Sequence, residues 1–185
     1  MAILHQATIV PSKREILAGW LPDRPWYPGG EVQTIGGFRL DDPAGEVGVE
    51  LLLVRAEDGT VVHVPCTYRG TAAPELAHAL MGTAEHSVLG TRWVYDATAD
   101  PVYLTAVRQA IRTGPAQAAE TVHHADGTVA ARPPTIRAQR LAGDAPDDAA
   151  TVRTVRLPHA PEPGVATLVA SWDGQDEPLA VAVLD

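Results

Sequence analysis

Two apolar runs between Val47 and Arg69 are separated by Glu57-Asp58-Gly59-Thr60. An Asp-Gly step so flanked is a strong hairpin signal, because glycine takes the positive φ that tight hairpin turns demand. It predicts strands over 47–56 and 61–69 and commits the chain to antiparallel pairing. In the first strand Val47, Val49, Leu51 and Leu53 share one face, predicted to be the core face. Gly48, Glu50, Leu52 and Val54 share the other, where Glu50 is the odd residue. A strand over 32–40 precedes this pair across the turn-rich Asp41-Asp42-Pro43-Ala44-Gly45. Asp126-Gly127 repeats the hairpin chemistry between 117–124 and 128–137, and short strands are predicted over 3–10, 151–157, 165–172 and 179–184.

Helices are marked by their caps. Ser12 with Glu15 three residues on forms a capping box, followed by an apolar stripe of Ile16, Leu17, Trp20 and Leu21 that Pro22 and Pro25 end. Trp26 and Tyr27 then read as aromatics pinning a loop to the core. Asp100-Pro101 supplies an N-cap and a first-position proline for a helix to Arg112, closed by Gly114. A short helix is expected over 75–81, ending at Gly82. The segment 82–103 is the most densely functionalised of the chain, with a strand predicted over 87–96. Residues 138–150 are rich in Ala, Gly, Asp and Pro without periodicity and read as a linker or loop. The expected fold is α+β, with helices packed on one face of a curved antiparallel sheet.

Composition narrows the function. A net charge of −9 over 185 residues disfavours nucleic acid and anionic membrane as partners. Lys13 is the sole lysine, a usage that fits a GC-rich coding sequence. The single Cys66 leaves no intrachain disulfide and fits a reducing compartment. No signal peptide or membrane span is apparent, so a cytoplasmic location is expected.

Familiar catalytic motifs are missing: no phosphate loop, no dinucleotide fingerprint, no HExxH and no nucleophile elbow. Cys66 and His63 are three apart on a strand and project to opposite faces, so they form no local dyad. His123-His124 has no second ligand pair at suitable spacing, and neither metal nor cofactor is expected. Glu85-His86-Ser87 is the sharpest candidate, since a carboxylate beside a histidine can fix its tautomer and raise its basicity. Arg92 could orient an anionic or carbonyl group. With Glu50, His63, Arg69 and Asp96 these residues make a candidate ligand site on the sheet's polar face, with no catalytic residue assigned. The competing reading is a network that only satisfies a strand end.

These pieces resemble the N-terminal cap domain of actinobacterial maltokinases. The resemblance runs through 13–27, then Asp41 to Gly48, His63-Val64-Pro65 and Thr67-Tyr68-Arg69-Gly70. Its most specific portion is Gly82-Thr83, Glu85 to Gly90, Arg92-Trp93-Val94-Tyr95-Asp96 and Asp100-Pro101-Val102-Tyr103. It implies a cystatin-like cap, a curved sheet wrapped on a helix, over 1–137. That cap is followed by the 138–150 linker and a β extension over 151–185 packed on the same domain. It does not imply kinase activity, because the chain lacks room for the two-lobed body and has no lysine after Lys13. Three readings follow: an accessory module of glycogen, maltose or trehalose metabolism acting on a partner enzyme or glucan; a small-molecule site with or without catalysis; and a structural subunit that forms homo-oligomers.

Overall fold

The computed structural model describes residues 2–5, 7–123, 127–143 and 150–185. In chain order, β1 (Ala2–His5) and β2 (Ile9–Val10) precede α1 (Lys13–Trp20), and a 3-10 turn over Leu21–Asp23 follows. Next come β3 (Gln33–Leu40), β4 (Gly48–Arg55) and β5 (Val61–Arg69), a 3-10 turn over Pro74–Ala79, β6 (Leu80–His86) and β7 (Gly90–Asp96). A 3-10 turn over Ala97–Ala99 leads into α2 (Pro101–Arg112). The remainder is β8 (Glu120–His123), β9 (Val129–Arg132), β10 (Ile136–Leu141), β11 (Val152–His159), β12 (Thr167–Trp172) and β13 (Gln175–Leu184).

The strands form a curled six-stranded antiparallel sheet in the order β2-β6-β7-β5-β4-β3, a four-stranded sheet β10-β12-β13-β11, and a small sheet β1-β8-β9. The fold is mixed α and β and mostly strand, as the turn chemistry predicts. The β4–β5 hairpin closes as expected: Ala56 N–H donates to Thr60 O at 2.9 Å, the Asp58 carboxylate accepts from Thr60 N–H, and Gly59 sits at φ 90°. Both cap predictions hold. Ser12 and Glu15 exchange the bonds of a capping box, and Asp100 accepts from Val102 N–H ahead of Pro101.

One expectation fails. The helices do not share a face of the sheet. The β4 residues Val49, Leu51 and Leu53 pack with Tyr103, Val107 and Ile111 of α2, whereas Leu52 and Val54 pack with Ile16, Leu17 and Trp20 of α1. The reason lies in the run Leu51-Leu52-Leu53-Val54, apolar on both sides of the pleat, which is the pattern of a strand covered on two faces. Trp26 and Tyr27 pack beside the α1 layer, with Trp26 5.8 Å from Trp20.

The α2 layer is shared with the second sheet. Phe38, Leu51 and Tyr103 belong to the same core cluster as Ile136, Leu168, Trp172, Val181 and Leu184. β7 pairs with β5 only over Cys66–Arg69, and β11 packs against β5, its Val155 carbonyl meeting the side chain of His63 in the stretch that β7 leaves unpaired.

Other boundaries move. Residues read as the linker start within β10, whose Ala138 and Arg140 pair with Ala170 and Leu168; of the rest, 144–149 lie outside the described residues. The segment read as a helix over 75–81 is a 3-10 turn that runs into β6, and Ser87–Leu89 is the β6–β7 turn rather than strand. The stretch read as one strand over 3–10 is split between two sheets, with β1 pairing parallel to β8. β8 and β9 pair antiparallel with Gly127 at φ 83°; Asp126 and His124 lie outside the described residues. Among the described residues no helix is long and apolar enough to cross a membrane.

Candidate functional site

Glu50 lies on the α1 face of β4 and is 8% exposed. A carboxylate so placed needs compensation. Lys13 Nζ, at the first position of α1, reaches both its oxygens at 2.7 and 2.5 Å, and the Tyr68 hydroxyl donates to it at 2.7 Å. Strand register explains the second contact. Glu50 faces Cys66 across the ladder, so Tyr68, two residues along β5, is its diagonal neighbour on the same face. Burial pushes the Glu50 carboxyl up, but Lys13, Arg39 and the two hydrogen bonds outweigh it and hold it below the ordinary range. Burial and the adjacent carboxylate push the Tyr68 hydroxyl well up, so it stays a donor.

In front of this group opens a cleft of about 510 Å³. Its walls are Lys13 and Ile16 of α1, Ile9 of β2, the end of β3 with the 41–47 turn, Tyr68, and the β6–β7 hairpin. Of the residues predicted from sequence, His86 and Arg92 line it, and Glu50 stands behind Lys13 and Tyr68. The His86 Nδ1 accepts from Val88 and Leu89 N–H at 3.2 and 3.1 Å, which closes the hairpin turn and leaves the ring proton of the neutral form on Nε2. The Glu85 carboxylate accepts from Thr91 Oγ1 at 2.7 Å across the ladder, on the face opposite His86. The Glu85–His86 pair envisaged from sequence is therefore not formed: neighbours on a strand point apart.

The other candidates are committed elsewhere. Arg69 is bidentate to Asp100, Nε to Oδ2 at 3.0 Å and Nη2 to Oδ1 at 2.8 Å. Asp96 accepts from Arg156 Nη2 at 2.6 and 2.5 Å and caps the following 3-10 turn through Thr98 N–H; the Arg156 guanidinium lies 4.6 Å from the Trp26 ring. His63 is fully buried on the α2 side of β5, with Nδ1 3.2 Å from Val155 O, the Val181 backbone also beside the ring, and no well-formed hydrogen bond at Nε2 among the described residues. Among the described residues no three His, Cys, Asp or Glu gather as a metal-binding group. Burial pushes the Cys66 thiol far up, and the side chain packs in the α1 layer. A thiol so held is a poor nucleophile.

Sequence reasoning missed Lys13, Arg39 and Tyr68. The available signal was the conjunction of a sole lysine with a lone carboxylate inside an apolar strand.

Residues 20–100 match the family model of the maltokinase N-terminal cap domain. The resemblance to the maltokinase cap family stands. No curated protein matches the chain. The cap-like stretch takes in β3 to β7 and hence most of the cleft wall, while Lys13 and Ile9 lie ahead of it and β8 to β13 lie beyond it.

His63 makes a measurable demand. Burial, then the Arg156 charge, depress its pKa from 6.5 to about 3. Below about pH 6.5 the unfolded chain takes a proton that the native chain refuses, so stability present at neutral pH falls by about 1.4 kcal/mol per unit as pH drops. From about pH 6.5 to about pH 5 the loss should be about 2 kcal/mol, above the range where carboxylates contribute. Urea midpoints followed over that interval should show it, and His63→Gln should flatten the slope. An equal slope in the variant would place the acid sensitivity elsewhere.

Proposed function

We propose that this chain is a binding module of the maltokinase-cap type, serving maltose or glucan metabolism in the cytoplasm through a ligand or partner enzyme rather than by chemistry of its own. The match over residues 20–100 carries this reading. The side-chain geometry supports its non-catalytic part. Arg69, Asp96 and Glu85 each sit in a formed pair, His63 is sealed in the core, and His86 holds a turn with the nitrogen that a general base would need. The cystatin-like form, a sheet wrapped on a helix, is the arrangement the family implies for this stretch.

The test is calorimetric titration of the full chain with maltose, maltotriose and glycogen, together with an assay for ATP-dependent phosphorylation of maltose. Saturable binding without turnover is expected. Turnover above a no-protein control, abolished by a single substitution in this chain, would refute the non-catalytic reading. Absence of any carbohydrate binding, together with no association with an enzyme of glucan metabolism, would refute the module itself.

A further inference from the structure

We infer that the cleft between α1 and the β6–β7 hairpin is a site for a neutral, polyhydroxylated small molecule. This inference rests on the binding-module reading and adds the ligand's place and chemical class. The cleft's 510 Å³ lies within the range of small-molecule sites, about 300–1,000 Å³.

Its charges are mixed. Lys13, Arg39 and Arg92 face Asp41, Asp42 and Glu46 around the same opening, with the Glu50 carboxylate paired to Lys13 behind them. An anion entering it meets carboxylates and a cation meets guanidinium groups, so neither sign is selected outright. Some of these groups are already engaged: Asp42 accepts from the backbone N–H of Ala44, Glu46 and Val47, and Lys13 serves Glu50. The two arginines keep hydrogen-bonding capacity, although the Arg39 charge also supports Glu50. Among the described residues the Arg39 Nε is buried without a partner, and the Arg92 guanidinium has neither a hydrogen bond nor an ion pair. A buried donor such as the Arg39 Nε ordinarily finds an acceptor, and the half-buried Arg92 stands beside it in the same wall. A purely apolar ligand would leave the Arg39 donor stranded, whereas a hydroxyl both accepts from a guanidinium and donates to a carboxylate.

The rest of the wall suits the same class. Ile9, Ile16 and Leu89 alternate with these polar groups and can take the C–H faces of a polyol, and the Tyr68 ring is fixed by the bond from its hydroxyl to Glu50. Arg92 is set in place by Gly70. A Cβ there would stand 2.6 Å from Arg92 Nη1, so any larger residue displaces the guanidinium.

The experiment is titration of the full chain with maltose and trehalose, and with inorganic phosphate as the anionic comparison, at low and high salt. The neutral disaccharides should bind with little dependence on salt, and phosphate should neither bind comparably nor displace them. Arg39→Gln and Arg92→Ala should each weaken disaccharide binding by about tenfold or more, the loss of a hydrogen bond from a charged donor. Gly70→Ala should weaken it with both arginines present, and Glu85→Gln, on the opposite face, should leave it unchanged. Disaccharide binding that survives all three cleft variants would overturn the placement while leaving the module intact. Tighter binding of phosphate would overturn the ligand class. Association with a partner enzyme without any sugar binding would likewise overturn the inference and spare the module.

Discussion

A chain ending at Ala142 should not fold into a cooperative unit. The truncation removes Leu168, Ala170, Trp172, Val181 and Leu184, which lie in one cluster with Phe38, Leu51, Tyr103 and Val107. It also leaves β10 without β12 and takes from β5 the strand β11 that packs against it. Deleting one large buried side chain costs about 2–5 kcal/mol, and a whole domain is stable by only about 5–15 kcal/mol. Losing several at once exceeds any margin. The expected result is no sigmoidal thermal transition and a collapsed near-UV circular dichroism signal for residues 1–142. A truncated chain that melts at the full chain's temperature would show the second sheet to be an appendage.

That dependence was partly legible in the sequence. Leu168, Trp172, Leu179 and Val183 are too apolar for an exposed tail, and the two Asp-Gly steps announced the hairpins. The capping residues Ser12 and Asp100 marked both helix starts. What escaped was two-sided burial, because the alternation of Val47, Val49 and Leu51 drew attention from the unbroken run Leu51 to Val54. At the site, listing polar residues by proximity in sequence gathered side chains that the pleat then sent apart, as with Glu85 and His86. Lys13 and Glu50, 37 residues apart, meet only because α1 folds back over the sheet. Periodicity reports which face a residue occupies, and not what lies over that face.

The second large effect is expected at Asp100, which is fully buried and accepts from Arg69 Nε and Nη2, Thr67 Oγ1 and Val102 N–H. Burial alone pushes this carboxyl up, but those bonds hold it below the ordinary range, so it is ionised at neutral pH. Asp100→Ala removes the cap of α2 and leaves the Arg69 charge and the Thr67 hydroxyl unmatched. Breaking a buried charge pair from one side costs about 3–5 kcal/mol. Asp100→Asn keeps an acceptor for Val102 N–H and should lose less. Urea unfolding of both variants measures the difference. A loss under about 1 kcal/mol for the alanine variant would mean that the pair adds only what a surface pair does.

Lys13 gives the molecule one more property. As the sole lysine, its ammonium is the one side-chain amine that an acylating reagent can modify, and it stands in the cleft wall. Amine labelling of side chains, ordinarily a scatter over a protein's surface, is therefore confined to one residue. The amine is tied to both oxygens of the Glu50 carboxylate, and anything seated in the cleft shields it further. The modification rate of the peptide that carries Lys13 thus reports occupancy directly, without a dye or a tag, and whatever the occupant's chemistry.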